Sequence, residues 1–323
     1  MNTARREQLE SRIKEMATLP ALPAVLIPLM QALELPPADV DVARVVELVS
    51  YDESIVAQCI RMANSAMFGR RRAVESVHDA VVALGLRRVS DIVFSCTVPQ
   101  MFSSIEGAID PAVFWRHSLC CALVSQRLAK LLRSRCAEKA YLAGLLHDMG
   151  MLVNSVLYPQ EVHQALENAA ATHTSFDEAE REVLGFTHAE SGRVLADLWH
   201  FSADITAVLE FHHDVPAATS AKDLVAIVHL SDSVCRHQGM GYGYPESCVI
   251  DFCYSPAWLV LLQTCKSMPF PDIADFSRTL QEYCQEVIPL VDQFLGSTVH
   301  TPHTTPNDAL SRPSESHRSP QLR

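Results

Sequence analysis

Apolar residues recur at three- and four-residue intervals along most of this chain, and no stretch alternates convincingly at period two, so the pattern predicts helices and no sheet. Helix-start signals punctuate it. Ser76/Asp79, Ser175/Glu178, Thr187/Glu190 and Ser220/Asp223 each place a Ser or Thr three residues before an acid, the spacing that satisfies orphan amides at a helix start. Pro111 follows Asp110 as an N1 proline follows its cap, and Gly85, Gly185 and Gly239 stand where helices beginning before them must stop. The reading is an all-α fold of about a dozen helices with short connections.

The same pattern divides the chain. Residues 1–17 hold a charged amino-terminal helix, and 18–108 hold short helices that form a smaller subdomain. A multi-helix bundle follows over 109–238, then a helical extension over 239–296. The last stretch, 297–323, is rich in Thr, Ser, Pro and His and poor in apolar residues, so it cannot offset the entropy of ordering and reads as a disordered tail. Its His300 and His303 are therefore set aside as ligands.

Polar residues on apolar faces give the first hint of chemistry. His117 shares a helical stripe with Val113, Phe114, Cys121 and Val124, and Asp232 shares one with Leu224, Val228 and Cys235. Both face the interior, where an unpartnered polar group costs free energy. His147-Asp148 follows the apolar run Leu142-Ala143-Gly144-Leu145-Leu146, and Gly150 lets other backbone approach that pair. With His188 and His212 they make a set of imidazole and carboxylate ligands suited to a divalent ion, and the alternative is a buried His-Asp pair satisfied by hydrogen bonds. Neighbouring helical residues point about 100° apart, so only one of His212 and His213 is expected in the core, and His212 is preferred. His78, His163, His173, His200, His229 and His237 read as surface or packing residues, Asn64-Ser65 as a local brace, and Trp115 and Trp199 as core aromatics.

Charge and cysteine content narrow the class. A formal net charge of −12 over 323 residues argues against a chain that grips nucleic-acid backbone, so no direct DNA binding is expected. Arg70-Arg71-Arg72 and Arg87-Arg88 are local exceptions that read as solvated loop faces or anion contacts. Ten cysteines without a C-x-x-C pair read as reduced core residues, and neither a signal core nor an apolar run of about 20 residues is evident. The expected setting is cytoplasmic.

The order His117, His147-Asp148, Asp232 resembles the HD superfamily of metal-dependent phosphohydrolases. Upstream, Leu19-Pro20-Ala21-Leu22-Pro23, Asp52-Glu53-Ser54-Ile55-Val56, the run from Met62 to Gly69 and Ala80-Val81-Val82-Ala83-Leu84-Gly85 look like the amino-terminal half of the HDOD family. Phe114-Trp115-Arg116-His117-Ser118, the run from Gly144 to Gly150, the run from Gly185 to Gly192, Trp199 and Phe211-His212-His213 match its second half in order and spacing. The resemblance covers about 19–236. It implies an HD-like bundle with His117, His147, Asp148 and Asp232 on one ion, and with His188 and His212 or His213 corresponding to the second metal site of the related HD-GYP phosphodiesterases.

Two departures stand out. The HD-GYP lysine position is Met151, and Asp214-Val215-Pro216 replaces the loop that follows its paired histidines, while Gly243-Tyr244-Pro245 falls too late in the chain. The resemblance therefore implies a non-enzymatic signalling module that works through signalling proteins or a small ligand. The alternative is a metal-dependent phosphohydrolase of a nucleotide or cyclic dinucleotide, and a remoter one is dioxygen chemistry at a two-iron centre. One or two ions of iron, manganese, nickel or zinc fit the ligand set.

Overall fold

The structure, a computed structural model, describes residues 7, 9–13, 25–35, 39–65, 73–101, 107–242, 255–265, 268–270 and 272–295. Leu19 to Pro23, the Arg70-Arg71-Arg72 run, Gly243-Tyr244-Pro245 and the tail from Ser297 with His300 and His303 lie outside them. Among the described residues every regular element is helical, as the periodicity predicts.

The amino-terminal helices are α1 (Leu26–Glu34), α2 (Val42–Ser50), α3 (Glu53–Ala63), α4 (Val77–Leu84) and α5 (Leu86–Met101). Ser76 caps α4 by accepting from the Asp79 amide at 3.0 Å, and Gly85 ends it with φ +85°, a left-handed conformation that costs a glycine little. The chain then enters α5 directly, so Arg87 and Arg88 sit in a first helical turn instead of a loop, and Arg87 pairs with Glu138 at 2.8 Å. Asn64 braces the end of α3 as expected, donating to the Val74 carbonyl and accepting from its amide at 2.9 and 2.8 Å.

The second half comprises α6 (Pro111–Leu131), α7 (Ala140–Leu146), α8 (Met149–Leu157), α9 (Pro159–Thr172), α10 (Phe176–Val183), α11 (His188–Leu198), α12 (Ala203–Phe211) and α13 (Lys222–Cys235). Helices α6, α7 and α13 pack against one another, α8 lies on α11, and α11 lies on α12. Asp110 caps α6 with Pro111 in its first turn, and Thr187 and Glu190 form a complete capping box on α11. Two expected caps differ. Ser175 holds the cap position of α10 without a side-chain bond, and α13 starts after a left-handed Ala221, which leaves Ser220 one residue too early.

Beyond α13 a wide π turn (Arg236–Met240) continues the chain, with Gly239 at φ +78° and Met240 buried. Two further helices, α14 (Pro256–Thr264) and α15 (Ile273–Leu295), pack on α13 and on α6 respectively. Arg116 on α6 grips Asp292 on α15 through two bonds of 2.5 and 3.0 Å, a fork geometry that fixes orientation as well as distance.

The stretch Ala140–Leu157 is long and apolar enough for a membrane span by length and composition alone, but it contains His147, Asp148 and Asn154 and 89% of it is buried. It is also broken at Asp148. Among the described residues no other helix is long and apolar enough to cross a membrane.

Asp91 on α5 ties the two halves, accepting from Gln126 Nε2 on α6 at 3.0 Å. Burial pushes its carboxyl up to about 7 against the pull of Gln126 and the Arg87 charge. A carboxyl raised in the folded state binds its proton more tightly there than in the unfolded chain, so stability falls as pH rises from about 4 to about 7, by at most ~1.4 kcal/mol per pH unit. Asp91→Asn should escape that loss. The stability difference between variant and wild type, followed by thermal melts, should move in the variant's favour across that window, and a pH-independent difference would refute it.

Candidate metal centre

Four helices and two helix ends bring the polar side chains together. His117 comes from the middle of α6, Asp232 from α13, and His147 and Asp148 from the joint between α7 and α8. The helix expected to run through that dipeptide is interrupted: Asp148 has φ −100° and ψ 14°, outside the helical region, so the two side chains converge instead of diverging by a helical step. His188 opens α11, and His212 ends α12. None of the six is more than 3% exposed.

The contacts fall into two groups that share Asp148. In the first, His147 Nε2 lies 2.9 Å from Asp148 Oδ2, His117 Nε2 lies 3.2 Å from Asp232 Oδ1, and the two imidazole Nε2 atoms are 3.5 Å apart. In the second, Asp148 Oδ1 is 3.0 Å from His212 Nε2 and 3.3 Å from His188 Nε2. His213 completes this group, with its Nε2 2.9 Å from that of His188.

The outward nitrogens explain why the rings point as they do. His117 Nδ1 donates to the Met240 carbonyl at 2.7 Å, His147 Nδ1 to Gly144 at 2.9 Å and His212 Nδ1 to Val208 at 3.0 Å, while His188 Nδ1 faces Glu180 Oε2 at 2.5 Å. A neutral imidazole that donates through Nδ1 presents a bare lone pair at Nε2. The four Nε2 atoms crowd one small volume, the arrangement by which histidine ligands are oriented towards a cation. Asp148 Oδ1, His212 Nε2 and Asp232 Oδ1 are buried and receive no hydrogen bond from any described residue. A divalent ion fits what these atoms lack, and the imidazole and carboxylate donors are ligand types that hold one.

Electrostatics tell the same story. Burial alone would raise the Asp148 carboxyl and lower the His147 imidazole, yet the histidines hold Asp148 well below the usual carboxylate range and Asp148 with Asp232 pushes His147 up to about 10. His188 is also raised, against burial, mainly by Glu180. His212 and His213 are lowered, chiefly by burial and then, for His213, by the neighbouring imidazoles. The metal-free centre thus needs positive charge beside Asp148.

Several contributors escaped the sequence reading. His213 was expected to point away, but α12 ends at Phe211, so the helical offset no longer separates it from His212. Glu180 is wholly buried and anchors His188 through both its amide, at 2.7 Å, and its ring. Asn154 donates to its other oxygen at 2.9 Å. The signal was present, because Glu180 shares a stripe with Phe176 and Val183. Arg236, one turn beyond Asp232, donates to its Oδ2 at 2.6 Å. Tyr242 lies over His117, ring centroids 4.6 Å apart, and donates its hydroxyl to Asp148 Oδ2.

The sequence profile of the HDOD domain matches residues 19–215, and the chain belongs to the HDOD family. An uncharacterized protein of Treponema pallidum is 26% identical over 220 residues, which span 68% of this chain and 42% of that relative. A crystal structure of an HDOD domain protein of unknown function from Geobacter sulfurreducens superposes with a TM-score of 0.81 at 24% identity, covering 91% of this chain and 99% of that one. A protein of Shewanella amazonensis proposed to be a phosphohydrolase superposes at 0.66 with 24% identity, over 88% and 97% of the two chains. A proposed signal transduction protein of Marinobacter aquaeolei does so at 0.66 with 23% identity, over 90% and 64%. These likenesses establish the fold.

Proposed function

We propose that this chain is a non-enzymatic regulatory module of the HDOD type, in which the His/Asp centre forms a metal-stabilised core and the output passes to a separate signalling protein or responds to a small ligand. The observation that carries this reading is closure of the centre by the chain's own groups. Tyr242 occupies Asp148 Oδ2 and Arg236 occupies Asp232 Oδ2, so two of the carboxylate oxygens are engaged before any substrate arrives. Met151, where a lysine would help hold a phosphate, is 1% exposed and packs in the core. A cleft of about 230 Å³ lined by Ile27, Met30, Arg87, Leu142 and Trp199 includes none of the centre's residues.

The phosphohydrolase reading rests on one specific feature, the two ligand groups that meet at Asp148. Ions held there would supply an activated water and offset charge on phosphoryl oxygens. The Shewanella protein proposed as a phosphohydrolase keeps that reading open, and the Marinobacter one proposed in signal transduction agrees with the regulatory reading. The eight described cysteines are all free thiols, which supports a reducing, cytoplasmic setting.

The test is turnover. Protein loaded in turn with iron, manganese, nickel and zinc is incubated with cyclic dinucleotides and with a chromogenic phosphodiester. No hydrolysis above a metal-only blank is expected. Hydrolysis that disappears in Asp148→Ala would replace the regulatory reading by the phosphohydrolase.

A further inference from the structure

A second cluster lies one helical turn from the His/Asp centre and is made of sulfur alone. Cys120 follows His117 by three residues on α6, and Cys235 follows Asp232 by three residues on α13, so both stand on the faces that already meet, about 4.5 Å further along. Cys284, from α15, closes the triangle. All three are fully buried free thiols. Their sulfurs are 3.5 Å apart for Cys120 and Cys235, 3.8 Å for Cys120 and Cys284, and 3.9 Å for Cys235 and Cys284.

Those edges match a coordination shell. The centre of the triangle is about 2.2 Å from each sulfur, against a metal–thiolate bond of about 2.3 Å, so an ion is accommodated there with almost no movement of the side chains. We infer that Cys120, Cys235 and Cys284 form a three-thiolate site for a thiophilic cation, univalent copper, chemically separate from the His/Asp centre. Among the described residues no fourth histidine, acid or cysteine joins the group. That favours copper over zinc, because structural zinc almost always takes four ligands whereas soft univalent copper is selected by thiolates.

The position gives the site a role. Cys120 lies within the family match, which ends at residue 215, whereas Cys235 and Cys284 lie beyond it, so the site joins the matched domain to the helices that follow. A bound ion would pin α15 to α6 and α13 beside the Arg116–Asp292 fork. An ion that binds only the folded arrangement raises stability by mass action.

The reduced full-length protein, kept free of oxygen, is titrated with Cu⁺ in competition with a chromogenic copper chelator. One Cu⁺ per chain is expected to be retained, with near-ultraviolet thiolate-to-copper charge transfer and a higher melting temperature. Cys284→Ser and Cys120→Ser should each weaken retention by at least tenfold, whereas Cys136→Ser, at a free thiol outside the triangle, should keep it. X-ray absorption of the wild type, which needs no variant to fold, should show three sulfur neighbours around copper. Failure of the wild type to retain Cu⁺, undiminished retention in Cys284→Ser, a copper shell without sulfur, or uptake of zinc with refusal of copper would each overturn the assignment.

Discussion

Gly150→Ala is expected to yield a chain that does not hold the native bundle. A Cβ at this position would sit 1.9 Å from the His188 carbonyl oxygen and 2.6 Å from the Gly192 nitrogen. Both are backbone atoms of α11, so neither can rotate aside, and α8 must part from α11 to admit the methyl group. Ordinary overpacking costs about 1–3 kcal/mol, and a clash of backbone against Cβ exceeds that range in a fold whose total stability is about 5–15 kcal/mol. The contact also delivers His188 to Asp148, so any folded remainder should lose the second ligand group. Gly192 supplies the control within the same helix contact: a Cβ there meets the Leu209 side chain at 3.4 Å, an ordinary distance. Circular-dichroism melts of the two variants decide the matter, since Gly150→Ala melting as high as Gly192→Ala would refute the close-packing account.

The extent to which this centre is legible in the sequence follows from where each residue sits on its helix. His117 and Asp232 lie within long helices, where a polar residue on an apolar stripe can be placed inside by periodicity alone, and the structure buries both. His188 is legible because the capping box of Thr187 and Glu190 fixes the first turn of α11. Periodicity says nothing once a helix stops. The joint at Asp148, the turn carrying His213 and the segment beyond α13 that brings Tyr242 back over His117 are set by tertiary packing, and each departed from or escaped the linear reading. Glu180 is a different case. Its stripe position marked it as buried, but an acid among Asp177, Glu178, Arg181 and Glu182 reads first as part of a solvated face. The cysteine triangle is similar: the shared three-residue offsets from His117 and Asp232 are visible in the sequence, yet only the docking of α15 brings Cys284 to them.

Asp148→Ala should have the broadest effect on the centre, because one carboxylate serves both ligand groups. Its Oδ2 faces His147 and its Oδ1 faces His188 and His212. Protein purified with bound metal should therefore lose the ions of both groups in this variant, whereas His117→Ala should spare the second group and His213→Ala the first. The metal-stripped variant should also be less stable by about 3–5 kcal/mol, the cost of leaving buried charge without its partner. The pH dependence follows from the directions of the shifts. Asp148 titrates well below the usual carboxylate range, so its contribution is complete above about 4 and is lost as pH falls through its depressed value. His147 is raised to about 10, so its contribution is complete below about 6.5 and is lost as pH rises towards 10. The gap between wild type and Asp148→Ala, measured in metal-free protein by denaturant titration, should be widest from about pH 4 to 6.5 and narrow on either side. Elemental analysis supplies the other half of the test: metal content unchanged in Asp148→Ala would remove this carboxylate from the site, and a pH-independent gap would remove the His-Asp charge coupling as its cause.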